Sequence, residues 1–260
     1  MPNQDDLAER RRIAVRFISG CGVEIGAGLD PVTHPAIREL AFIDKRDRAE
    51  LEKLFGRPVP YRVLTLEQSL GAGNAPADFI MAHHVVEHCP NPIRQIGEWL
   101  PLLGPTGRVF FSVPSDTNSG EKGRVPTHAS HVLHDFLFHR DGDDFDSKQH
   151  IPHFVLQWVA MDPDYFWYTK DGVAHFADRT LAETRRDGHD LHWHTYTLEV
   201  FCQTIEAAFW FAGLGLRWLH RDTACNAHYV VAERAPIGEP PKFLGEQRAE
   251  LVKAAARLPH

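Results

Sequence analysis

The chain has 260 residues, 43% of them hydrophobic, and a formal charge of −7. That length can bury one substantial core, and that charge has the wrong sign for a nucleic-acid binder, which needs a basic stripe to displace phosphate counterions. The charged N-terminus (Asp5, Asp6, Glu9, Arg10, Arg11, Arg12) has no apolar signal core, and the longest apolar stretch, Ala207 to Leu219, is too short for a bilayer and carries Arg217. The expectation is a cytoplasmic protein with no membrane span. Cys21, Cys89, Cys202 and Cys225 form no Cys-x-x-Cys pair, so neither a zinc ribbon nor a disulfide framework is implied.

Apolar spacing predicts a leading helix over Leu7 to Ile18, a strand over Val23 to Ile25 and a second strand over Ala41 to Ile43. A helix at Ala49 to Phe55 and a strand at Tyr61 to Leu64 follow. The turn-rich segment Gly71 to Pro76 then leads into Asp78-Phe79-Ile80-Met81-Ala82, a strand without polar alternation and so buried on both faces. Asn91 is placed to cap a helix over Pro92 to Leu103, and Gly107 to Val113 is again an apolar strand. Alternation of this kind predicts a parallel sheet with helices on both sides and ligands at the carboxyl ends of the strands.

The run Val23-Glu24-Ile25-Gly26-Ala27-Gly28-Leu29-Asp30-Pro31, with Asp44 ending the second strand, is the densest chemical signal. Gly26 and Gly28 would let backbone approach a ligand closely, and the Asp44 carboxylate stands where it could accept hydrogen bonds from two ribose hydroxyls. A dinucleotide site of the Gly-x-Gly-x-x-Gly type fits less well, because Pro31 stands where its third glycine belongs.

These blocks resemble those of class I S-adenosylmethionine-dependent methyltransferases. The resemblance rests on Glu24-Ile25-Gly26-Ala27-Gly28 with Asp44, on Asp78 to Pro92 with its His83-His84-Val85-Val86-Glu87-His88 turn, and on Leu103 to Pro114. More narrowly, the chain is similar to bacterial methyltransferases associated with glycosyltransferases and polysaccharide biosynthesis, through His131-Val132-Leu133-His134-Asp135-Phe136 and His192-Trp193-His194. It departs from the general pattern at Asp30, in place of a third glycine, and at Pro105-Thr106-Gly107. The resemblance implies a Rossmann-like α/β fold with a seven-stranded, mostly parallel sheet whose last strand is antiparallel. It also implies S-adenosylmethionine as cofactor, held by Glu24, Gly26, Ala27, Gly28, Asp44, Lys45, His83 and His84.

A sulfonium carries its own leaving group, so the remaining requirement for a hydroxyl acceptor is a base. Histidine is abundant, at 17 residues, and crowds the stretches around His131 and His192. A helix capped by Thr127 and running from His128 would set His131 and Asp135 one turn apart, and His192 and His194 would point the same way if extended. Converging on the sheet mouth, these side chains could supply a base or hold a divalent ion. No spacing matches a zinc pattern, so His131, His192 and His194 are expected as catalytic residues and no metal is expected. The acidic run Asp141 to Asp146 lacks the glycine and glutamate of a calcium loop.

The region about 116 to 195, with Trp158, Tyr165, Phe166, Trp167 and Tyr168, reads as a helical cap over the acceptor pocket. Thr197 to Phe211 returns to helical spacing, and Leu214 to Leu219 with Tyr229 to Glu233 reads as an antiparallel closing pair. One domain over 1–235 is expected, then a Pro-rich linker and terminal helix over 236–260 that packs on the body or joins a partner subunit, which keeps a homodimer open. The expected partner is a small-molecule acceptor, a sugar or related hydroxyl foremost. N- or C-methylation of another metabolite, or a non-catalytic scaffold for a glycosyltransferase, are the alternatives.

Overall fold

The computed structural model describes residues 4–71, 76–117, 121, 124–138 and 192–246. The Asp141 to Asp146 run, the cap aromatics Trp158 to Tyr168 and most of the expected terminal helix lie outside these residues.

Seven strands form one sheet: β1 (Gly20–Ile25), β2 (Ile37–Ile43), β3 (Val63–Leu64), β4 (Ala77–His83), β5 (Leu103–Pro114), β6 (Gly215–Ala224) and β7 (Ala227–Ala235). Their spatial order is β3-β2-β1-β4-β5-β7-β6. The pairs from β3 through β5 are parallel, while β7 runs antiparallel to both β5 and β6. This is the Rossmann-like arrangement with a reversed last strand that the sequence predicts.

Helices cover both faces. On one side α1 (Gln4–Phe17) lays Ile13 and Ala14 against Phe79, Met81, Phe110, Tyr229 and Val231. On the other, α4 (Pro92–Trp99), α5 (Ala129–Phe138) and α6 (Leu198–Phe211) cover Ile80, Ala82, Val109, Phe111, Val230 and Ala232. Successive side chains of β4 therefore enter opposite cores, which is why its sequence shows no polar alternation. The remaining helices, α2 (Arg48–Phe55) and α3 (Leu66–Gly71), lie before β3 and before β4.

Local chemistry sets the boundaries. Asp47 and Glu50 form a reciprocal capping box at α2, and Gly56 ends that helix in the left-handed region. Thr65 and Gln68 make the same exchange of bonds at α3, which the apolar spacing did not reveal. Between β6 and β7, Cys225 and Asn226 have φ of 49° and 63°, the two-residue turn that matches strand twist, so both strands run closer to the turn than their apolar cores suggest. Before α5 the expectation differs from the structure: Thr127 pairs with Thr195 through backbone and hydroxyl, and His128 receives the Ser130 amide instead. This α5 belongs to the region read as a cap, yet Val132 and Leu133 are buried in the main core.

Asn91 caps α4 by accepting from the Arg94 amide at 3.1 Å and donates to the Asp135 carbonyl at 3.1 Å, tying α4 to α5. Asn91→Ala will cost about 1–2 kcal/mol in urea denaturation, since it removes a cap and leaves a buried carbonyl with one fewer donor.

Candidate active site

A cleft of about 630 Å³ opens at the carboxyl ends of β1, β4 and β5. One wall is the loop Gly26 to Asp30, another is the turn after β4 with His83, His84, Glu87 and His88, and α1 contributes Asp6 and Arg10. His192, Pro114, Phe55, Arg57 and the hairpin residues Cys225 and Asn226 complete the rim.

The glycine loop is built from below. Gly26 has φ +64°, and a Cβ there would meet Val85 Cγ2 at 2.6 Å, so only glycine lets this backbone pass the turn after β4. The Gly26 amide donates to the Ile43 carbonyl at 2.9 Å, and Tyr61 holds the Gly28 carbonyl at 2.6 Å while its ring stacks on Phe42. Glu24 lies beneath the loop, outside the cleft wall, and its buried carboxylate accepts from the Val32 amide at 3.1 Å. Burial pushes its pKa up to about 8, against the Val32 hydrogen bond and the charge of Arg10.

The native state therefore favours the protonated form of Glu24, so its stabilising contribution is complete below the usual value near 4.5 and is lost as pH rises through about 8. Thermal melts between pH 5 and pH 9 will show a falling melting temperature that is visibly flatter in Glu24→Gln.

Asp44 is half-buried at the end of β2, where its carboxylate accepts from the Arg46 amide at 2.9 Å, and Lys45 is exposed. Neither is among the residues lining the cleft. Ala27 lines it with the two glycines.

His83 is buried at the tip of β4, with Nδ1 on Ser112 Oγ at 3.0 Å and, among the described residues, no hydrogen-bond partner for Nε2. Burial, then the charges of Arg10 and His84, hold its pKa well below the usual value, so the ring is neutral. The next residue bends sharply: His84 has φ +54° and its amide bonds the Ser112 carbonyl. Its ring lies between Asp6 (3.4 Å) and Glu87 (3.3 Å). Burial opposes its charge, but the two carboxylates together raise the pKa to about 9. Asp6 also meets Arg10 and accepts from the Tyr229 hydroxyl; against a burial penalty, these partners hold its pKa far below the usual carboxylate range.

The three histidines singled out in the sequence part company. His192 stands in the cleft wall with Nδ1 bonded to the buried Glu121 carboxylate, which Arg124 and Thr195 each hold at 2.6 Å. Desolvation works against protonation there, yet Glu121 and Glu87 raise its pKa. His131 and His194 lie outside the cleft wall and both address Asp135 Oδ2, at 3.4 and 3.3 Å. His194 and Asp135 are buried and His131 is exposed. The segment 192–196 is fastened to the turn after β4 by the Trp193 amide on the Glu87 carbonyl, at 2.8 Å.

No protein-family model and no curated protein matches the sequence. Solved structures do. The chain is similar to CurJ carbon methyltransferase, at 14% identity over 89% of this chain and 56% of that one, TM-score 0.40. It is similar to the mitomycin 7-O-methyltransferase MmcR at 13% identity over 88% of this chain and 54% of that one, TM-score 0.43. A third, from Thermotoga maritima, is described as a SAM-dependent methyltransferase, possible histamine N-methyltransferase; it matches at 13% identity over 88% of both chains, TM-score 0.41. The chain spans just over half the length of the first two.

Sequence reasoning missed Asp6, Arg10 and Glu121. Asp6 and Arg10 stand one helical turn apart in the charged N-terminal run, which gives no sign that both are buried. Nothing in the local sequence around Glu121 signals its pairing with His192.

Proposed function

We propose that the chain is an S-adenosylmethionine-dependent methyltransferase acting on a small-molecule hydroxyl, in the cleft above β1 and β4. The observation that carries the reading is the cleft at the carboxyl ends of β1 and β4, lined by the tight Gly26 to Asp30 loop and by buried His83, whose Nε2 has no hydrogen-bond partner among the described residues. Buried Arg10 Nε, likewise without a partner among the described residues, belongs to the same cleft and suits the carboxylate of an amino-acid tail. Gly26, Ala27 and Gly28 would hold the cofactor along the loop, with Asp44 and Lys45 at its ribose end.

The bound cofactor supplies an activated methyl group whose leaving group is a neutral thioether. The residues around it orient and keep charge in check. Neutral His83 adds no positive charge near a sulfonium, and the pairing of His84 with Asp6 and Glu87 fixes the turn that shapes the wall. His192 is the histidine on the acceptor side, and its link to Glu121 fixes the ring to take or hold the acceptor's proton. His131 and His194, each on Asp135, position the segment that carries it. The choice of a sugar as acceptor rests on the resemblance through His131 to Phe136 and His192 to His194.

Calorimetric titration tests the reading with two probes, S-adenosylhomocysteine and NAD⁺. One saturable site for the first and none for the second is expected; the reverse would make this a nicotinamide site. With an acceptor in hand, His192→Ala will lower kcat by about 10²- to 10⁴-fold while leaving S-adenosylhomocysteine affinity unchanged, and His131→Ala will lower it less.

A further inference from the structure

Glu87, His88 and His192 each bring one ligand-capable atom within 4.8 Å of the others. All three line the cleft. Glu87 is 1% exposed, and among the described residues neither of its carboxylate oxygens has a hydrogen-bond partner, although His84 Nδ1 stands 3.3 Å from Oε1. Protonated His84 answers Oε1 as an ion pair, which leaves Oε2 as the buried carboxylate oxygen with no partner among the described residues, an unmet acceptor that is costly to bury. His192 shows the complementary feature. Its Nδ1 is held by Glu121, itself fixed by Arg124 and Thr195, which leaves Nε2 for an ion and reproduces the carboxylate–imidazole support seen behind metal-bound histidines.

We propose that Glu87, His88 and His192 form a three-ligand site for a divalent transition-metal ion at the acceptor end of the cleft. One carboxylate and two imidazoles suit Zn²⁺, Co²⁺, Mn²⁺ or Fe²⁺, and three protein ligands leave positions open for an oxygen from outside. The site deepens the methyl-transfer reading and, in its catalytic use, rests on it. An ion there would hold an acceptor hydroxyl beside the donor and lower its pKa so that the proton leaves to water in the cleft as the methyl–oxygen bond forms; with Nε2 on the ion and Nδ1 on Glu121, His192 would then serve as a ligand in place of taking the proton itself. The acceptor class becomes an oxygen nucleophile able to ligate a metal, such as a diol or a hydroxy acid. The second cluster, His131, Asp135 and His194, is a weaker candidate, because both imidazoles already address the same Asp135 oxygen.

The test is titration of the metal-stripped full chain with Co²⁺ alone, read by visible absorption and by calorimetry, beside an S-adenosylhomocysteine titration of the same sample. One Co²⁺ per chain with a ligand-field band is expected. Glu87→Gln and the rim variant His192→Ala will each weaken it by at least about hundredfold, whereas His131→Ala will not change it. The His192→Ala variant, at a partly exposed side chain, keeps the result decisive should Glu87→Gln fail to fold. Absence of stoichiometric Co²⁺ binding, or binding indifferent to Glu87 and His192, would overturn the site. Co²⁺ binding without S-adenosylhomocysteine binding leaves the site standing and removes the methyl-transfer reading; the opposite pair of results removes the site alone.

Discussion

Replacing Gly26 by alanine will weaken S-adenosylhomocysteine binding by at least about thirtyfold, and the left-handed strain will lower the melting temperature as well. The residue sits at φ +64°, and its new Cβ would lie 2.6 Å from Val85 Cγ2. A left-handed alanine costs about 1–2 kcal/mol and an overpacked contact about 1–3 kcal/mol. In the free protein a shift of the loop away from Val85 would relieve the contact but not the left-handed strain. Binding that needs the original loop shape restores the contact, so that part of the cost appears in affinity and the rest in stability. Calorimetry paired with a thermal melt separates the two. Gly28→Ala is a useful companion: it has a similar φ, but its Cβ would be 3.8 Å from Phe55 and so meets no clash. Its loss will be the smaller of the two.

Asp6→Asn will destabilise the fold by about 3–5 kcal/mol, the range for removing one partner from a buried ionic cluster. Asp6 joins three separate parts of the chain: Arg10 in α1, His84 after β4 and Tyr229 in β7. Asparagine keeps the size but leaves two cationic groups facing a neutral amide. Urea denaturation measures the loss, and Tyr229→Phe, which removes a single hydrogen bond, will cost nearer 1 kcal/mol. Because the folded carboxyl titrates below its unfolded value, its contribution is present above about pH 4 and fades as pH falls below it. The wild-type protein should therefore lose stability on acidification more steeply than Asp6→Asn.

The sheet was legible because its central strands are buried on both faces. The run Asp78 to Ala82 alternates between two cores, and an unbroken apolar string is what such a strand must be. Element ends were harder to read. The six-residue helix α3 is too short to show a period, and only the Thr65–Gln68 capping pair marks it. Within the candidate site, glycines and strand-end acids were visible as local chemistry, but their partners were not. Glu24 turned out to brace Val32, and Asp6 and Arg10 reach the cleft from a helix 70 residues or more before His83 and His84. The cluster of Glu87, His88 and His192 has no sequence spacing to detect, because its third member arrives from a segment about a hundred residues later, docked by backbone hydrogen bonds to Glu87. Those contacts exist only once the sheet has brought the two segments together.

A crystal structure of the chain with S-adenosylhomocysteine tests the central claim most directly. The account predicts the ligand along the Gly26 to Asp30 loop, its ribose toward Asp44, and its sulfur near His83 with open space between it and His192. A ligand bound elsewhere, for example in the polar groove of Arg38, Asp78 and Arg108 at the opposite end of the strands, or crystals that stay empty at saturating ligand, would contradict it.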